Sequence, residues 1–71
     1  SMNKGKREVH RPDRVMKDEN ETIVVDFKFG KPRQEYHDQV KGYMDLLSGM
    51  GHPQVKGYLW YVYPNKIVEV K

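Results

Sequence analysis

The chain contains no cysteine among its 71 residues. That absence removes disulfide staples, thiolate nucleophiles and thiolate metal sites, and it agrees with a reducing compartment. A cytoplasmic location is therefore the expectation. Long apolar runs are missing as well: no stretch approaches the ~20 consecutive apolar residues that a membrane-spanning helix needs, and no membrane partner is expected. With one tryptophan and two phenylalanines, large anchors for a core are few. At this length a single core only just outweighs chain entropy, so the expectation is one small domain of marginal stability.

Charge is present but unevenly placed. The formal net charge is +3, and residues 1 to 17 hold Lys4, Lys6, Arg7, Arg11, Arg14 and Lys17 against Glu8 and Asp13. A polyanion is one partner for such a segment, and a solvated basic lead is the other reading. Ser1-Met2 resembles a cloning remainder and the pattern after it opens abruptly, so a piece of a larger protein is expected.

Periodicity divides the chain into five elements. Residues 7 to 17 carry Val9, Val15 and Met16, and "TIVVDFKF", Thr22 to Phe29, is rich in β-branched and aromatic residues; both read as strands. The polar "KDENE" between them predicts an antiparallel hairpin. From Arg33 to Met50, Tyr36, Val40, Tyr43, Met44, Leu47 and Met50 recur at three- and four-residue steps, the spacing of one helical face. Gly30 and Pro32 precede this helix, and Gly49, Gly51 and Pro53 end it. "VKGYLWYVY", Val55 to Tyr63, predicts a strand covered on both faces, and Pro64-Asn65 turns the chain into a last strand, "KIVEV". The order β-β-α-β-β predicts a small α/β or α+β domain. One helix covers only one sheet face, so the other is expected to meet further chain or a second copy.

The charged strand residues carry the functional reading. If the hairpin turns between Glu19 and Asn20, Val15 faces Val24, Met16 faces Ile23, and Asp13 faces Asp26. Like charges directly opposed destabilise a sheet, so a cation is expected between them. By strand alternation Val24, Asp26 and Lys28 share one face, while Ile23, Val25, Phe27 and Phe29 share the other and are expected to pack on the core. Two convergent carboxylates suit Mg²⁺, a hard ion that takes oxygen ligands and keeps part of its water shell, and a neighbouring ammonium stabilises charge developing on a phosphate. The alternative is a set of salt bridges from Arg11, Arg14 or Lys28 on a solvated face. Pro12 lacks an N–H, which makes the first strand an edge or irregular at Asp13. Gln39 and Tyr43, four apart, stack on one helix face and either support the site through hydrogen bonds or serve as surface and core.

In order, "RPDRV", "VVDFK" and "QVKGY" resemble the PD-(D/E)XK nuclease superfamily in its RecB-type form, over Arg11 to about Tyr63, most of the chain. The run "KGYLWYVY" looks like the strand that follows in that family. The resemblance implies a restriction-endonuclease-like core spanning residues 7–71, behind a remainder and basic lead over 1–6, with Asp13 and Asp26 as metal-binding carboxylates. It implies Lys28 as the catalytic lysine, the Phe27 carbonyl as a further metal ligand, and Gln39 with Tyr43 as supporting residues. The implied cofactor is Mg²⁺, or Mn²⁺ in its place. The implied reaction is hydrolysis of DNA phosphodiesters in end processing and recombinational repair, with a helicase portion of the same parent chain as partner. Arg11, Arg14 and Lys31 are the candidates for DNA-backbone contacts. The family's core opens with a helix that brings an acidic or histidine residue to the site, and no segment before the first strand is long enough for it. A homodimer through the exposed sheet face, or an element exchanged between copies, is expected in its place. The alternatives are a non-catalytic DNA- or subunit-binding module and a stand-alone repair endonuclease. His10 and Glu8 receive no site role, His37 and His52 have no partner at metal-ligand spacing, and Trp60 with Tyr58, Tyr61 and Tyr63 reads as a central strand before it reads as a base-stacking surface.

Overall fold

The structure, a computed structural model, describes residues 10–71. Its elements are β1 (Arg14–Lys17), β2 (Thr22–Lys28), α1 (Gln34–Gly49), β3 (Val55–Tyr61) and β4 (Lys66–Val70). They build a small α+β domain: a four-stranded mixed sheet in the order β1-β2-β3-β4, with β1/β2 and β3/β4 antiparallel and β2/β3 parallel. Among the described residues no helix is long and apolar enough to cross a membrane.

The hairpin register is the expected one, with Val15 opposite Val24 and Met16 opposite Ile23. Its turn is closed by Asp18, whose Oδ1 accepts from the backbone N–H groups of Asn20 (2.7 Å) and Glu21 (2.9 Å). Those two bonds hold the Asp18 carboxyl below the usual carboxylate range. β1 is shorter than the strand expected over 7–17. Its first part, 7–9, lies outside the described residues, and His10 to Asp13 are not strand, since Pro12 cannot donate to a ladder.

The faces are the reverse of the expectation. Thr22, Val24 and Asp26 on β2 and Gly57, Leu59 and Tyr61 on β3 are buried beneath α1, which contributes Val40, Met44 and Leu47 to the core. Ile23, Val25 and Phe27 lie on the opposite, uncovered face with Tyr58 and Trp60, half-buried by one another; Phe27 and Trp60 meet edge to face with ring centroids 5.5 Å apart. β3 is central, as expected, but covered by the helix on one side only.

Gly57 sets how near α1 approaches the sheet. A Cβ there would lie 2.8 Å from Val40 Cγ1 and closer still to Met44 Sδ. The helix can rest on β3 at that point only because no side chain intervenes.

Candidate functional site

Asp13 and Asp26 meet at the end of the β1/β2 hairpin, by extension of a ladder that pairs Arg14 with Val25. Asp26 is 1% exposed, unusual for a strand carboxylate. Its Oδ2 lies 3.1 Å from Lys28 Nζ and 2.9 Å from His10 Nε2. Lys28 shares its face through strand alternation. The ammonium is held from the helix side as well, where Gln39 Oε1 accepts from Nζ at 3.4 Å and the Tyr36 ring lies beneath it at 4.4 Å. α1 therefore delivers two residues three positions apart, adjacent on one helical face, onto one cation.

Asp13 Oδ2 accepts from the Phe27 backbone N–H at 2.8 Å. Direction along β2 explains this bond. Thr22 N–H and Lys28 C=O both bond on the β3 side, to Gln54 and Val62, so by alternation Phe27 points its N–H and its C=O toward β1. The residue opposite Phe27 in the hairpin register is Pro12, which has no N–H to offer that carbonyl. An exposed carboxylate, a buried carboxylate and an unladdered carbonyl thus come together at one strand end.

The two acids titrate as a pair. A hydrogen bond shared with Asp26 is the largest influence on Asp13 and raises its carboxyl above the usual range, against the Phe27 N–H, which lowers it. Burial pushes Asp26 up, but hydrogen bonds from Asp13 and Lys28, the Lys28 charge and His10 outweigh it and leave Asp26 below the usual range. The signs differ for stability. The Asp26 contribution is present above its unfolded pKa and lost as pH falls through the lower folded value, whereas the Asp13 contribution is present in acid and lost as pH rises through its raised value. Asp13→Asn reproduces the protonated acid at every pH. It is expected to stabilise the fold at pH 7 by up to about 1 kcal/mol, by relief of like-charge opposition, with no gain near pH 4, as read by urea unfolding at both values.

Of the residues expected at the site, Asp13, Asp26, Lys28 and Gln39 come together. Tyr43 packs against the hydrophobic core and makes no hydrogen bond to Lys28 or either aspartate among the described residues. Arg11 and Lys31 are exposed, with no side-chain hydrogen bond or ion pair to the cluster among the described residues. β1 alternation places Arg14 on the uncovered face, where it lines a groove with Phe27 and Trp60. His10 and Tyr36 join the site without having been assigned to it. A helical tyrosine three residues before Gln39 was a legible signal for the second; for His10 the only signal was its position just before Pro12-Asp13.

Among the described residues no group of three or more His, Asp or Glu side chains is disposed to hold a metal ion. The donors that do converge, two carboxylates and a backbone carbonyl, are all oxygen and fit in type a hard divalent cation. His10 and Lys28 both engage Oδ2 of Asp26.

Comparison of the chain with protein-family models, with curated proteins and with solved structures finds no match.

Proposed function

We propose that this cluster is the metal-dependent phosphodiester-cleaving site of a PD-(D/E)XK nuclease domain of the RecB type, acting on DNA. The observation that carries the reading is the juxtaposition of Asp13 with Asp26 and Lys28 on one sheet face, with the ammonium held between Asp26 and α1. In this reading Asp13, Asp26 and the Phe27 carbonyl hold Mg²⁺ or Mn²⁺. A bound ion supplies the Lewis acid that polarises a phosphoryl oxygen and makes water a nucleophile near neutral pH. Asp26 and Gln39 fix the Lys28 ammonium where negative charge develops on the phosphate, a preorganised contact that needs no rearrangement in the transition state. Asp13, the more exposed acid, opens the site to a duplex or single strand, and Arg11 and Lys31 contribute positive charge at its rim. DNA end processing beside a helicase portion of a longer chain is the cellular setting that this reading implies.

The test is DNA cleavage in Mg²⁺ by the chain and by Asp26→Asn and Lys28→Gln, each shown by circular dichroism to be folded. The expected loss is on the order of 10²–10³ in rate for each; unchanged cleavage in both variants sinks the assignment. One observation favours a second reading, a non-catalytic DNA- or subunit-binding module: the Asp26 charge is already met by Lys28, and no three-ligand His/Asp/Glu group is present among the described residues. Calorimetric titration with Mg²⁺ and Mn²⁺ separates the two, since the module takes up neither ion.

A further inference from the structure

The uncovered sheet face is arranged in rows that the ladder registers define. Arg14 pairs with Val25, Val25 with Tyr58, and Tyr58 with Glu69, so these four residues form one row across the sheet with a cation at the β1 edge and an anion at the β4 edge. The next row is Phe27, Trp60 and Ile67, and the groove between the rows is lined by Arg14, Met16, Val25, Phe27, Tyr58, Trp60 and Ile67. Its volume is about 400 Å³. Ile67 is 58% exposed, and neither Arg14 nor Glu69 has an ion-pair partner among the described residues.

We infer that this face binds a second copy of the same chain, sheet against sheet, about a two-fold axis running along the strands between β2 and β3. The charges choose that axis. A two-fold axis along the strands lays β1 of one copy over β4 of the other at the same height, so that each Arg14 meets the partner's Glu69, and β2 lies over β3 with Val25 against Tyr58 and Phe27 against Trp60. An axis across the strands would instead stack Arg14 on Arg14 and Glu69 on Glu69, which costs affinity. Strands ~4.8 Å apart place β1 and β4 ~7 Å to either side of the axis. The ~30° twist between packed sheets then displaces the charged pairs by only ~4 Å, within reach of an arginine and a glutamate across the ~10 Å sheet spacing. The interface is isologous and closes at two copies. It leaves α1 and the Asp13/Asp26/Lys28 cluster on the outer surfaces, so the inference stands independently of the nuclease reading.

Sedimentation equilibrium over a concentration series tests it. The expected mass is that of two chains, with a dissociation constant raised at least about tenfold by Arg14→Glu or by Glu69→Arg and restored by the two reversals together. Both positions are exposed, so the variants keep the fold. Ile67→Lys is expected to give the monomer. A chain that stays monomeric to about 1 mM, where association is worth less than ~4 kcal/mol, overturns the proposal. So does a dimer indifferent to all three single changes, or a charge reversal that the double variant fails to rescue. Quenching of Trp60 fluorescence by single-stranded DNA in a monomeric chain overturns it in favour of a base-stacking surface.

Discussion

Gly57→Ala lowers the unfolding free energy by about 2 kcal/mol, and Gly57→Val leaves the chain largely unfolded at 25 °C. The new Cβ arrives 2.8 Å from Val40 Cγ1 and against the Met44 side chain. Met44 can swing aside, because an unbranched thioether has several rotamers to choose from. Val40 cannot: it is 1% exposed and β-branched on a helix, where one χ1 rotamer dominates. Relief therefore requires α1 to lift from β3, and overpacking of this kind costs roughly 1–3 kcal/mol for a single methyl. A domain of this size rarely has more than ~3–5 kcal/mol to lose. Urea unfolding followed by circular dichroism checks both variants, and a Gly57→Ala protein as stable as the parent would show that α1 does not rest on β3 at this point.

Lys28→Met is expected to cost about 3 kcal/mol at pH 7.5 and much less at pH 4. The methionine keeps the aliphatic length of the lysine, so the change isolates the charge. Without the ammonium, Asp26 stays buried with only the His10 contact to offset its desolvation; removing one partner of a buried pair costs ~3–5 kcal/mol, and His10 places this case at the lower end. The pH dependence follows from the sign of the shift. With Lys28 present, Asp26 lies below the usual carboxylate range, and its contribution is lost as pH falls. Without Lys28, its hydrogen bond and its charge no longer lower Asp26, so the carboxyl moves up relative to the parent and the variant's deficit shrinks as pH falls and Asp26 takes up a proton. Unfolding in urea at the two pH values reads this narrowing. A parallel loss at both would mean that Lys28 acts through packing of its stem on Tyr36 and not through its charge.

These two residues differ in how far the sequence announced them. Lys28 was legible because strand alternation alone places it with Asp26, whichever face that turns out to be. The hairpin register was legible for a related reason: a slip of one residue would break the Val15/Val24 and Met16/Ile23 pairs and exchange every side chain between faces, so the apolar pairs also bring Asp13 and Asp26 together. Gly57 was not legible as a contact point. A glycine in a strand reads as a weakness until a helix is known to cross over it. His10 falls within the strand expected over residues 7 to 17 but precedes β1 in the structure, and only the return of the chain toward Asp26 at Pro12 brings its ring to the carboxylate.

What the sequence by itself determined is the order of elements, the hairpin register and the set of charged groups that share one face. What the tertiary structure decided is which face the helix covers. β2 carries Thr22 and Val24 on one side and Ile23, Val25 and Phe27 on the other, so apolarity alone points to the wrong side. The deciding constraint is chirality: the connection between parallel neighbours takes one hand almost without exception, and with β1 on one flank of β2 and β3 on the other, α1 falls on the face of Val24, Asp26 and Lys28. The same constraint buries Asp26, brings Gln39 and Tyr36 to Lys28, and leaves Val25, Phe27 and Trp60 uncovered on the far side.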